Sequence, residues 1–412
     1  MSKPMKYIII IGDGMADEPI HALGGKTPLA AAHTPMLDML AGKARLGTAQ
    51  TVPPKMAPGS DVACLSVLGF SPSLYYTGRS PLEALSIGIP LQEGDVAIRL
   101  NLVSLSEAED TYAGRHILDH SAGEIDSETA KALLAAVSAA LPAYDFSFEI
   151  HPGVSYRHCL IWKAQNTASI PAFNAPHDIL GKCIGPYLPA DGPFLTLMEQ
   201  SHHILSRHPI NDKRKNSGEN PANSFWFWGA GTKPQLPNFQ EKTGKTGIVI
   251  SAVDLLKGIG VAAGMSVAHV PGANATLHTN YAGKVDAALQ ALLSEEHDFA
   301  LIHVEAPDEM SHRGDLDNKI RAIEYVDQKI VAPVYERLRD DGVDFRLLVM
   351  PDHATPLRIR THSHDAVPFL LYDSRHADDA GPGSRAYNEA VCRASNDHVA
   401  EGHLLIEELF CC

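Results

Sequence analysis

MKYIIIIGDGMAD, Met5–Asp17, is the segment near the start of the chain that first decides the fold. Its run Tyr7–Ile11 is short, apolar and rich in β-branched residues, and Gly12 and Asp13 end it. Continuous hydrophobicity over so few residues is typical of a strand that a parallel sheet buries on both faces. The run is too short for a membrane span, which needs about 20 apolar residues, or for a signal peptide.

Later segments repeat this pattern of a short apolar run that ends at or near Gly, Pro or Asp. The further predicted strands are Gly247–Ile250, Phe299–Val304, Phe345–Met350 and Val367–Tyr372. Helical patterns lie between them. Thr34 and Pro35 supply a cap and a first-turn proline for MLDMLAGKARLG, and Ser80–Glu83 has capping-box spacing before ALSIG. Alternating strands and helices predict an α/β sandwich with a mostly parallel sheet.

The middle of the chain, residues 95–243, has a different pattern. The predicted strands and helix there are Val96–Val103, Phe146–Ile150, Cys159–Trp162 and the helix Ser127–Leu141. The polar stretch Asn211–Asn223 is typical of a mobile loop. We therefore predict a smaller α+β domain, 95–243, that is inserted between residues 1–94 and 244–412 of a catalytic domain.

Composition and charge exclude several classes of protein. The 412 residues are 45% hydrophobic and 20% charged, which is ordinary for a soluble globular chain. Lys and Arg number 34 against 49 Asp and Glu, a net charge of −15, and no long basic run is present, so nucleic acid is not an expected partner. No segment predicts a membrane span. The six cysteines lack CxxC spacing, which favours a reducing cytoplasm.

Acidic and imidazole side chains follow three of the predicted strands. They are Asp13 after Tyr7–Ile11, Asp308 and His312 after Phe299–Val304, and Asp352 and His353 after Phe345–Met350. Sites in open α/β sheets assemble at the carboxyl ends of strands, so we expect these side chains to converge. Each one alone has an ordinary alternative as a turn, cap or loop residue. Their joint occurrence favours a metal site.

The residue types and spacing predict ligands for two divalent ions. A separation of four places Asp308 and His312 on one face of a helical turn. His362 and His364, in THSHDAVPF, are further imidazole candidates, although an isolated His364 also fits an ordinary surface position. Mixed carboxylate and imidazole ligands suit Mn²⁺, Zn²⁺ or Fe²⁺ better than Ca²⁺.

Ser60 is the candidate nucleophile. It lies in MAPGSDVACLSVLG, where Pro58 and Gly59 predict a turn and Asp61–Leu68 predicts an apolar helix. A hydroxyl at the start of a helix meets the positive end of the helix dipole and free N–H groups, which favour an attached phosphate. The alternative is a plain N-cap serine. Beside a metal ion, Ser60 becomes a nucleophile.

Six motifs together resemble a known family. GDGMAD, APGSDVACLSVLGF, YYTGRSPLEALSIGI, HVEAPDEMSH, PDHATP and HSHDAVPF occur in the order found in the archaeal-type cofactor-independent phosphoglycerate mutases, a branch of the alkaline phosphatase superfamily. The resemblance runs from Met5 to about Tyr372. It implies a three-layer sandwich and a glycolytic isomerase that interconverts 3-phosphoglycerate and 2-phosphoglycerate. It also implies a phosphoserine intermediate, two divalent ions, no 2,3-bisphosphoglycerate, and an inserted domain that closes over a small phosphorylated substrate.

The resemblance also divides the metal ligands between two ions. It implies that Asp13, Ser60, Asp352 and His353 serve one ion, and that Asp308, His312 and His362 serve the other. His362 matches the family pattern better than His364, which stays the reserve candidate. Mn²⁺ is the expected ion, and Zn²⁺ and Co²⁺ accept the same ligands.

Substrate-binding groups are expected mainly in the insert, because arginine there can hold carboxylate or phosphate bidentately. The candidates are Arg115, His116, Asp119, Arg157, His158, His177 and Asp178, with Arg79 and Lys284 near Ser60. The chain departs from the archaeal pattern where a stretch like DRRAGR is replaced by Asp119–Glu124. That stretch and FWFWGAGTKPQLPNF are similar to a bacterial sister group proposed to act as homoserine kinases.

Three alternatives to the mutase therefore stay open at the level of sequence. They are phosphotransfer to homoserine, hydrolysis of phosphate or sulfate esters, and a metal-binding regulatory module without enzyme activity. A conventional kinase is disfavoured, because neither Gly25-Lys26-Thr27 nor Gly244-Lys245-Thr246 has the glycine that a P-loop needs five residues before the glycine of its Gly-Lys pair. The sequence predicts no particular oligomeric state.

Overall fold

The chain forms two compact units in a computed structural model that describes residues 4–140, 148–163, 170, 172–294, 296–376 and 385–411. The first unit comprises Met1–Tyr76 and Gln235–Cys412, and the second comprises Thr77–Pro234. Both boundaries differ from the predicted insert, 95–243. The helix Arg79–Ser86 belongs to the second unit because it packs against that unit's sheet. Phe239 belongs to the first unit because its ring stacks on Phe299, with centroids 5.3 Å apart.

The strands and helices are numbered in chain order. The strands are β1 Lys6–Gly12, β2 Arg45–Ala49, β3 Asp95–Leu105, β4 Ile117–Asp119, β5 Phe148–His151, β6 Arg157–Lys163, β7 Ser224–Thr232, β8 Gly247–Ile250, β9 Ser266–Val267, β10 Phe299–Val304, β11 Phe345–Met350, β12 Val367–Asp373 and β13 His398–Val399. The α-helices are α1 Pro28–Ala31, α2 Pro35–Ala41, α3 Ser60–Val67, α4 Pro72–Tyr75, α5 Arg79–Ser86, α6 Ser127–Ala140, α7 Pro193–Leu205, α8 Pro209–Asn216, α9 Phe239–Thr243, α10 Asp254–Ala262, α11 Tyr281–Leu293, α12 Ala306–Arg313, α13 Leu316–Val326, α14 Ala332–Asp340, α15 Glu389–Ala394 and α16 Leu405–Phe410.

The first unit is built on a mixed, mostly parallel sheet with the strand order β13-β2-β12-β11-β1-β10-β8-β9. The central strand β1 pairs in parallel with both β10 and β11, while β12 runs antiparallel to its two neighbours. Ile8 and Ile10 pack on one face into a core with residues of α11, α13 and α14. On the opposite face, the ring of Tyr7 lies 5.1 Å from that of Phe410 in α16. This arrangement confirms the predicted α/β sandwich.

The second unit contains an antiparallel sheet with the order β4-β3-β6-β5, and β7 pairs with β3. Leu100 of β3 packs on one face with Leu133 of α6 and Leu197 of α7. On the other face, Ala97 packs with Ala84 of α5. The central strand β3 is therefore covered by helices from both sides.

Two local predictions are wrong. The pattern predicts Arg45-Leu46-Gly47 as the end of a helix, but these residues lie in strand β2, which pairs with β12 and β13. The polar composition of Asn211–Asn223 predicts a mobile loop, but its first part completes helix α8. The buried side chain of Asn211 fixes this segment by donating to the carbonyls of Leu205 and Ala222, 2.9 Å in both cases. The predicted ends at Leu141 and Phe146 lie outside the described residues.

Helices that could cross a membrane are absent from the part of the chain that the structure describes, because none is long and apolar enough.

Helix α2 begins without the expected side-chain cap. Thr34 occupies the N-cap position, but its side chain makes no capping hydrogen bond. The N–H groups of Met36 and Leu37 donate instead to the carboxylate of Asp327, at 3.3 and 2.7 Å. Asp327 is buried at the start of a π-helical turn, Asp327–Val331. An acidic side chain from a distant part of the sequence therefore satisfies the free N–H groups of this helix.

We predict that Asp327→Ala lowers the free energy of unfolding by about 0.5–2 kcal/mol, the usual cost of removing a helix cap. Urea denaturation of the full chain measures this change. Glu336→Ala is the control, because this exposed side chain lies in α14 and its loss is expected to change stability by less than about 0.5 kcal/mol. Equal stability of Asp327→Ala and the parent chain would contradict the capping role.

Candidate metal centre and nucleophile

Short turns and helix ends position the predicted ligands in the first unit. Asp13 directly follows β1, and Asp352 and His353 follow β11. Asp308 lies in the first turn of α12, and His312 lies in its last turn. Because β1 pairs in parallel with both β10 and β11, the carboxyl ends of these three strands lie side by side. The sheet therefore brings these side chains together, as their positions after the predicted strands led us to expect.

The first ligand cluster, defined as Asp13, Ser60, Asp352 and His353, surrounds one imidazole nitrogen. His353 Nε2 lies 3.4 Å from Asp352 Oδ2 and 3.6 Å from Asp13 Oδ1. Ser60 Oγ lies 3.0 Å from the same nitrogen. The ligand atoms of Asp13, Asp352 and His353 all lie within 4.8 Å of one another. The side chains of these four residues therefore lie next to one another.

Ser60 is the first helical residue of α3, and the N-cap position belongs to Gly59. The alternative of a plain N-cap serine is therefore wrong, since no side-chain cap is made at this helix start. The Ser60 hydroxyl faces His353 instead. At the helix start it also lies at the positive end of the helix dipole, which favours a phosphate at this position.

The second ligand cluster, defined as Asp308, His312 and His362, is next to the first. Asp308 Oδ2 lies 3.1 Å from His312 Nε2, and Asp308 Oδ1 lies 3.7 Å from His362 Nε2. Ligand atoms of Asp308 and His362 also lie within 4.8 Å of one on His353. His364 is not part of this cluster, because its Nε2 lies 2.7 Å from the carbonyl oxygen of Met56.

The first ligand cluster has the properties of a site that holds a cation. Asp13 Oδ1 is buried and, among the residues that the structure describes, has no hydrogen-bond partner. Burial and the nearby carboxylates of Asp352 and Asp308 raise the pKa of Asp13 well above its usual value. Burial also lowers the pKa of His353, which favours the neutral imidazole that a metal ion requires. A divalent ion would satisfy the Asp13 oxygen and offset the negative charge, so these residues fit such an ion.

Asp13 also belongs to a buried network with His303 and Glu305, which the sequence patterns do not predict. His303 Nε2 lies 3.1 Å from Asp13 Oδ2, and His303 Nδ1 lies 3.2 Å from Glu305 Oε1. Burial alone lowers the pKa of His303, but Glu305 and Asp13 outweigh it and raise this pKa to about 10. The signal was present in the sequence, because a histidine inside the apolar run Phe299–Val304 must find a polar partner when it is buried.

Lys284 belongs to the same network, although it was predicted to bind substrate near Ser60. Its side chain is fully buried, and its Nζ donates to Glu305 Oε2 at 2.6 Å and to the carbonyl oxygen of His303 at 2.7 Å. The ammonium thus already has two protein acceptors. This geometry does not support the predicted substrate contact and gives Lys284 a structural position instead.

The second unit gathers some of the predicted substrate groups on one surface, which we call the arginine face and define as Arg79, Arg99, Arg157, His177 and Trp228. The Arg99 guanidinium lies 4.6 Å from the centre of the Trp228 ring, and the His177 ring lies 5.3 Å from it. The carboxylate of Glu83 lies 2.8 Å from Arg79 Nε and 2.5 Å from Arg99 Nη1. Charges on Arg79 and Arg157 help to lower the pKa of Arg99, after burial as the main cause. Arg157 pairs with Asn101 across β3 and β6, so its side chain lies on the same face of the sheet as that of Arg99.

Arg99 was not predicted, although a charged residue within the apolar strand β3 was a usable signal. Asp178 lies beside His177, with its carboxylate 3.8 Å from His177 Nε2, but its side chain is exposed.

The remaining predicted substrate groups have local protein partners. Arg115 Nη1 donates to the carbonyl of Ser106 at 2.6 Å, and His116 Nδ1 lies 3.3 Å from Glu109 Oε1. Asp119 accepts hydrogen bonds from backbone N–H groups of the following turn. His158 is buried and accepts from the N–H of Gly153, and burial lowers its pKa to about 4. These contacts do not place the four residues on the arginine face.

A serine at a helix start, beside two carboxylate and imidazole clusters on an α/β sandwich, is typical of metal-dependent phosphoryl-transfer enzymes. Comparison with known proteins gives the family. The sequence model described as 2,3-bisphosphoglycerate-independent phosphoglycerate mutase matches residues 41–211. A protein of this name from Methanosarcina barkeri is 48% identical over 377 residues, which are 91% of this chain and 92% of that protein. The chain belongs to the 2,3-bisphosphoglycerate-independent phosphoglycerate mutase family.

Two further relatives agree with this assignment. A probable 2,3-bisphosphoglycerate-independent phosphoglycerate mutase from Geobacter sulfurreducens is 45% identical over 406 residues, 98% of this chain and 99% of that protein. The structure of a cofactor-independent phosphoglycerate mutase from Thermoplasma acidophilum has a TM-score of 0.62 and 26% identity, and the match covers 98% of this chain and 99% of that one. The predicted isomerase class and family are confirmed, and the relatives do not support the homoserine alternative. The family and the ligand set imply divalent metal ions.

We predict that the affinity of the first ligand cluster for Mn²⁺ increases as the pH rises. The raised pKa of Asp13 keeps this carboxyl protonated over a wider pH range, and a bound ion must displace the proton. Isothermal titration calorimetry in buffers of different ionisation enthalpy measures both the affinity and the number of protons released. Asp365→Asn, which changes an exposed carboxylate, is expected to keep the pH dependence. An affinity that stays constant with pH would contradict the prediction.

Proposed function

We propose that this protein interconverts 3-phosphoglycerate and 2-phosphoglycerate through a phosphoserine at Ser60. The observation that carries the proposal is the 3.0 Å distance between Ser60 Oγ and His353 Nε2, because a serine nucleophile would need to lie next to the proposed metal ligands. A metal-binding regulatory module would not need a serine at this point. Membership of the mutase family and the phosphate-favouring helix start support the same reaction.

Two Mn²⁺ ions are the cofactors in this proposal. Asp13, Ser60, Asp352 and His353 would hold one of them, and Asp308, His312 and His362 would hold the other. When bound, such ions stabilise negative charge on phosphoryl oxygens and lower the pKa of a coordinated hydroxyl. The carboxylate, imidazole and hydroxyl groups of the two clusters suit Mn²⁺, and Zn²⁺ and Co²⁺ are the alternatives.

The proposed reaction consists of two transfers of the phosphoryl group. In the first, Ser60 Oγ loses its proton and forms a bond to phosphorus, while the ester bond to the glycerate oxygen breaks and that oxygen takes up a proton. In the second, the neighbouring glycerate hydroxyl loses its proton and attacks phosphoserine, and Ser60 regains its proton. Glycerate must stay bound between the two transfers, because release before the second transfer gives hydrolysis instead.

We further propose that the arginine face binds the anionic groups of the substrate. Its guanidinium groups are suited to bidentate contacts with carboxylate or phosphate. Glu83 neutralises part of the charge on Arg79 and Arg99, whereas the Arg157 guanidinium lies against the ring of Tyr156, 5.3 Å from its centre. Arg157 is therefore the strongest of the predicted substrate contacts in the second unit.

The cellular setting is part of the same proposal. The cysteines that the structure describes are free thiols, which supports a cytoplasmic location in a reducing compartment.

We predict that Ser60→Ala lowers the rate of 2-phosphoglycerate formation by at least about 10³-fold, because the substitution removes the group that accepts the phosphate. A coupled assay with 3-phosphoglycerate and Mn²⁺ measures this rate. Ser294→Ala, at an exposed helix end, is the control and should keep full activity. Full activity of Ser60→Ala would refute the phosphoserine mechanism. Formation of phosphohomoserine from homoserine and a phosphate donor, without any formation of 2-phosphoglycerate, would refute the assignment of the substrate.

We predict that Arg157→Ala lowers kcat/KM for 3-phosphoglycerate by about tenfold or more. A hydrogen bond between charged groups contributes about 1.5–3 kcal/mol, and about 1.4 kcal/mol corresponds to tenfold. Steady-state kinetics of the full chain give the ratio, and Arg207→Ala is the control because it removes an exposed arginine of the same unit. An unchanged kcat/KM in Arg157→Ala would show that Arg157 does not bind the substrate.

A further inference from the structure

One buried hydroxyl contacts a ligand of each cluster. Thr355 is fully buried and lies two residues after His353. Its Oγ1 is 2.6 Å from Asp308 Oδ1 in the second ligand cluster and 3.1 Å from His353 Nδ1 in the first. We propose that Thr355 is a positioning residue that fixes the tautomer of His353 and the orientation of Asp308, and so links the two metal sites. This proposal rests on the proposed metal function of the clusters.

The number of available protons sets the direction of both hydrogen bonds. A threonine hydroxyl has one proton and two lone pairs, whereas an ionised carboxylate only accepts. The Thr355 proton is therefore donated to Asp308 Oδ1, and a lone pair of Oγ1 faces His353. His353 Nδ1 must then carry the ring proton that it donates to Thr355. In a neutral imidazole, this leaves Nε2 unprotonated, and Nε2 is the nitrogen that faces Ser60, Asp13 and Asp352.

The backbone of Thr355 is held firmly enough to transmit this orientation. Its N–H donates to the carbonyl of Ala16 at 3.2 Å, and its carbonyl accepts from Lys319 Nζ at 3.0 Å. Lys319 is fully buried and also pairs with Asp17, with 2.8 Å between Lys319 Nζ and Asp17 Oδ2. The hydroxyl thus extends from a segment that two separate contacts fix in place.

Because Gly14 has no side chain, it leaves room for the contact between Thr355 and Asp308. A Cβ atom at this position would lie 2.5 Å from Thr355 Oγ1 and 2.6 Å from Asp308 Oδ1, which is closer than such atoms can approach. The backbone of Gly14 also has φ +60°, a conformation that favours glycine. The local chain therefore allows the hydroxyl and the carboxylate to meet.

The decisive pair of variants is Thr355→Val, which keeps the shape but removes the hydroxyl, and Thr355→Ser, which keeps the hydroxyl. Thr355→Val is expected to weaken Mn²⁺ binding at both sites by about 10- to 100-fold in calorimetric titrations, as is usual when a group that orients a metal ligand is lost. Thr355→Ser is expected to bind within a few-fold of the parent chain. Parent-like Mn²⁺ binding by Thr355→Val would overturn the proposal.

A second measurement needs no metal, and its main result comes from the parent chain. Nitrogen-15 NMR of the metal-free parent chain, with selectively labelled histidine, reports which ring nitrogen of His353 carries the proton. The proposal requires a proton on Nδ1, and a proton on Nε2 alone would overturn it. Thr355→Val, where folded, should show a mixture of tautomers. Both readouts are independent of mutase activity, so a failure of the proposed reaction would appear in the Ser60 assay and leave this test intact.

Discussion

Three neighbouring carboxylates, those of Asp13, Asp308 and Asp352, impose the main electrostatic constraint on this molecule. The side chains of Asp13 and Asp352 are buried, and that of Asp308 is 13% exposed. Like charges at such distances oppose each other, and burial away from water makes each of them costly. The parallel pairing of β1 with β10 and β11 brings the strand ends that carry them side by side. The sheet thus creates an excess of negative charge that bound cations would offset, and an acidic protein gains a local site for anionic phosphate in this way.

The chain supplies part of the compensation itself. The buried His303 is held charged by Asp13 and Glu305, and Lys284 completes the pairing of Glu305. Each of these groups would be costly alone, since a buried ion needs a partner and hydrogen bonds. Asp13, one of the proposed metal ligands, is therefore part of a buried network in which positive and negative groups are paired with one another. Lys284, which was predicted to contact substrate, is part of this network.

The strands around Asp13, Asp308 and Asp352 could be predicted from sequence, because short, continuous apolar runs with polar ends are typical of buried parallel strands. The prediction of secondary structure failed where contacts between distant parts of the chain determine it. The helical pattern continues through Arg45–Gly47, but these residues pair in the sheet. The segment that contains α8 is held in place by the hydrogen bonds of the buried Asn211 side chain. The contacts of Lys284 with Glu305 and of Thr355 with Asp308 could not be predicted from sequence, since these partners are distant along the chain. The sequence does carry a signal for His303 and Arg99, because both are polar residues within apolar strands.

The order of segments along the chain has a consequence for synthesis on the ribosome. The second unit, Thr77–Pro234, is continuous in sequence, whereas the first unit combines residues from both ends of the chain. Its central strand β1 emerges first but pairs with Phe299–Val304 and Phe345–Met350, which emerge near the end. The apolar strand β1 therefore stays unpaired until these two strands have been synthesised, whereas the second unit can fold earlier. The first unit therefore folds last, and the complete set of proposed metal ligands is available only after His362 has left the ribosome.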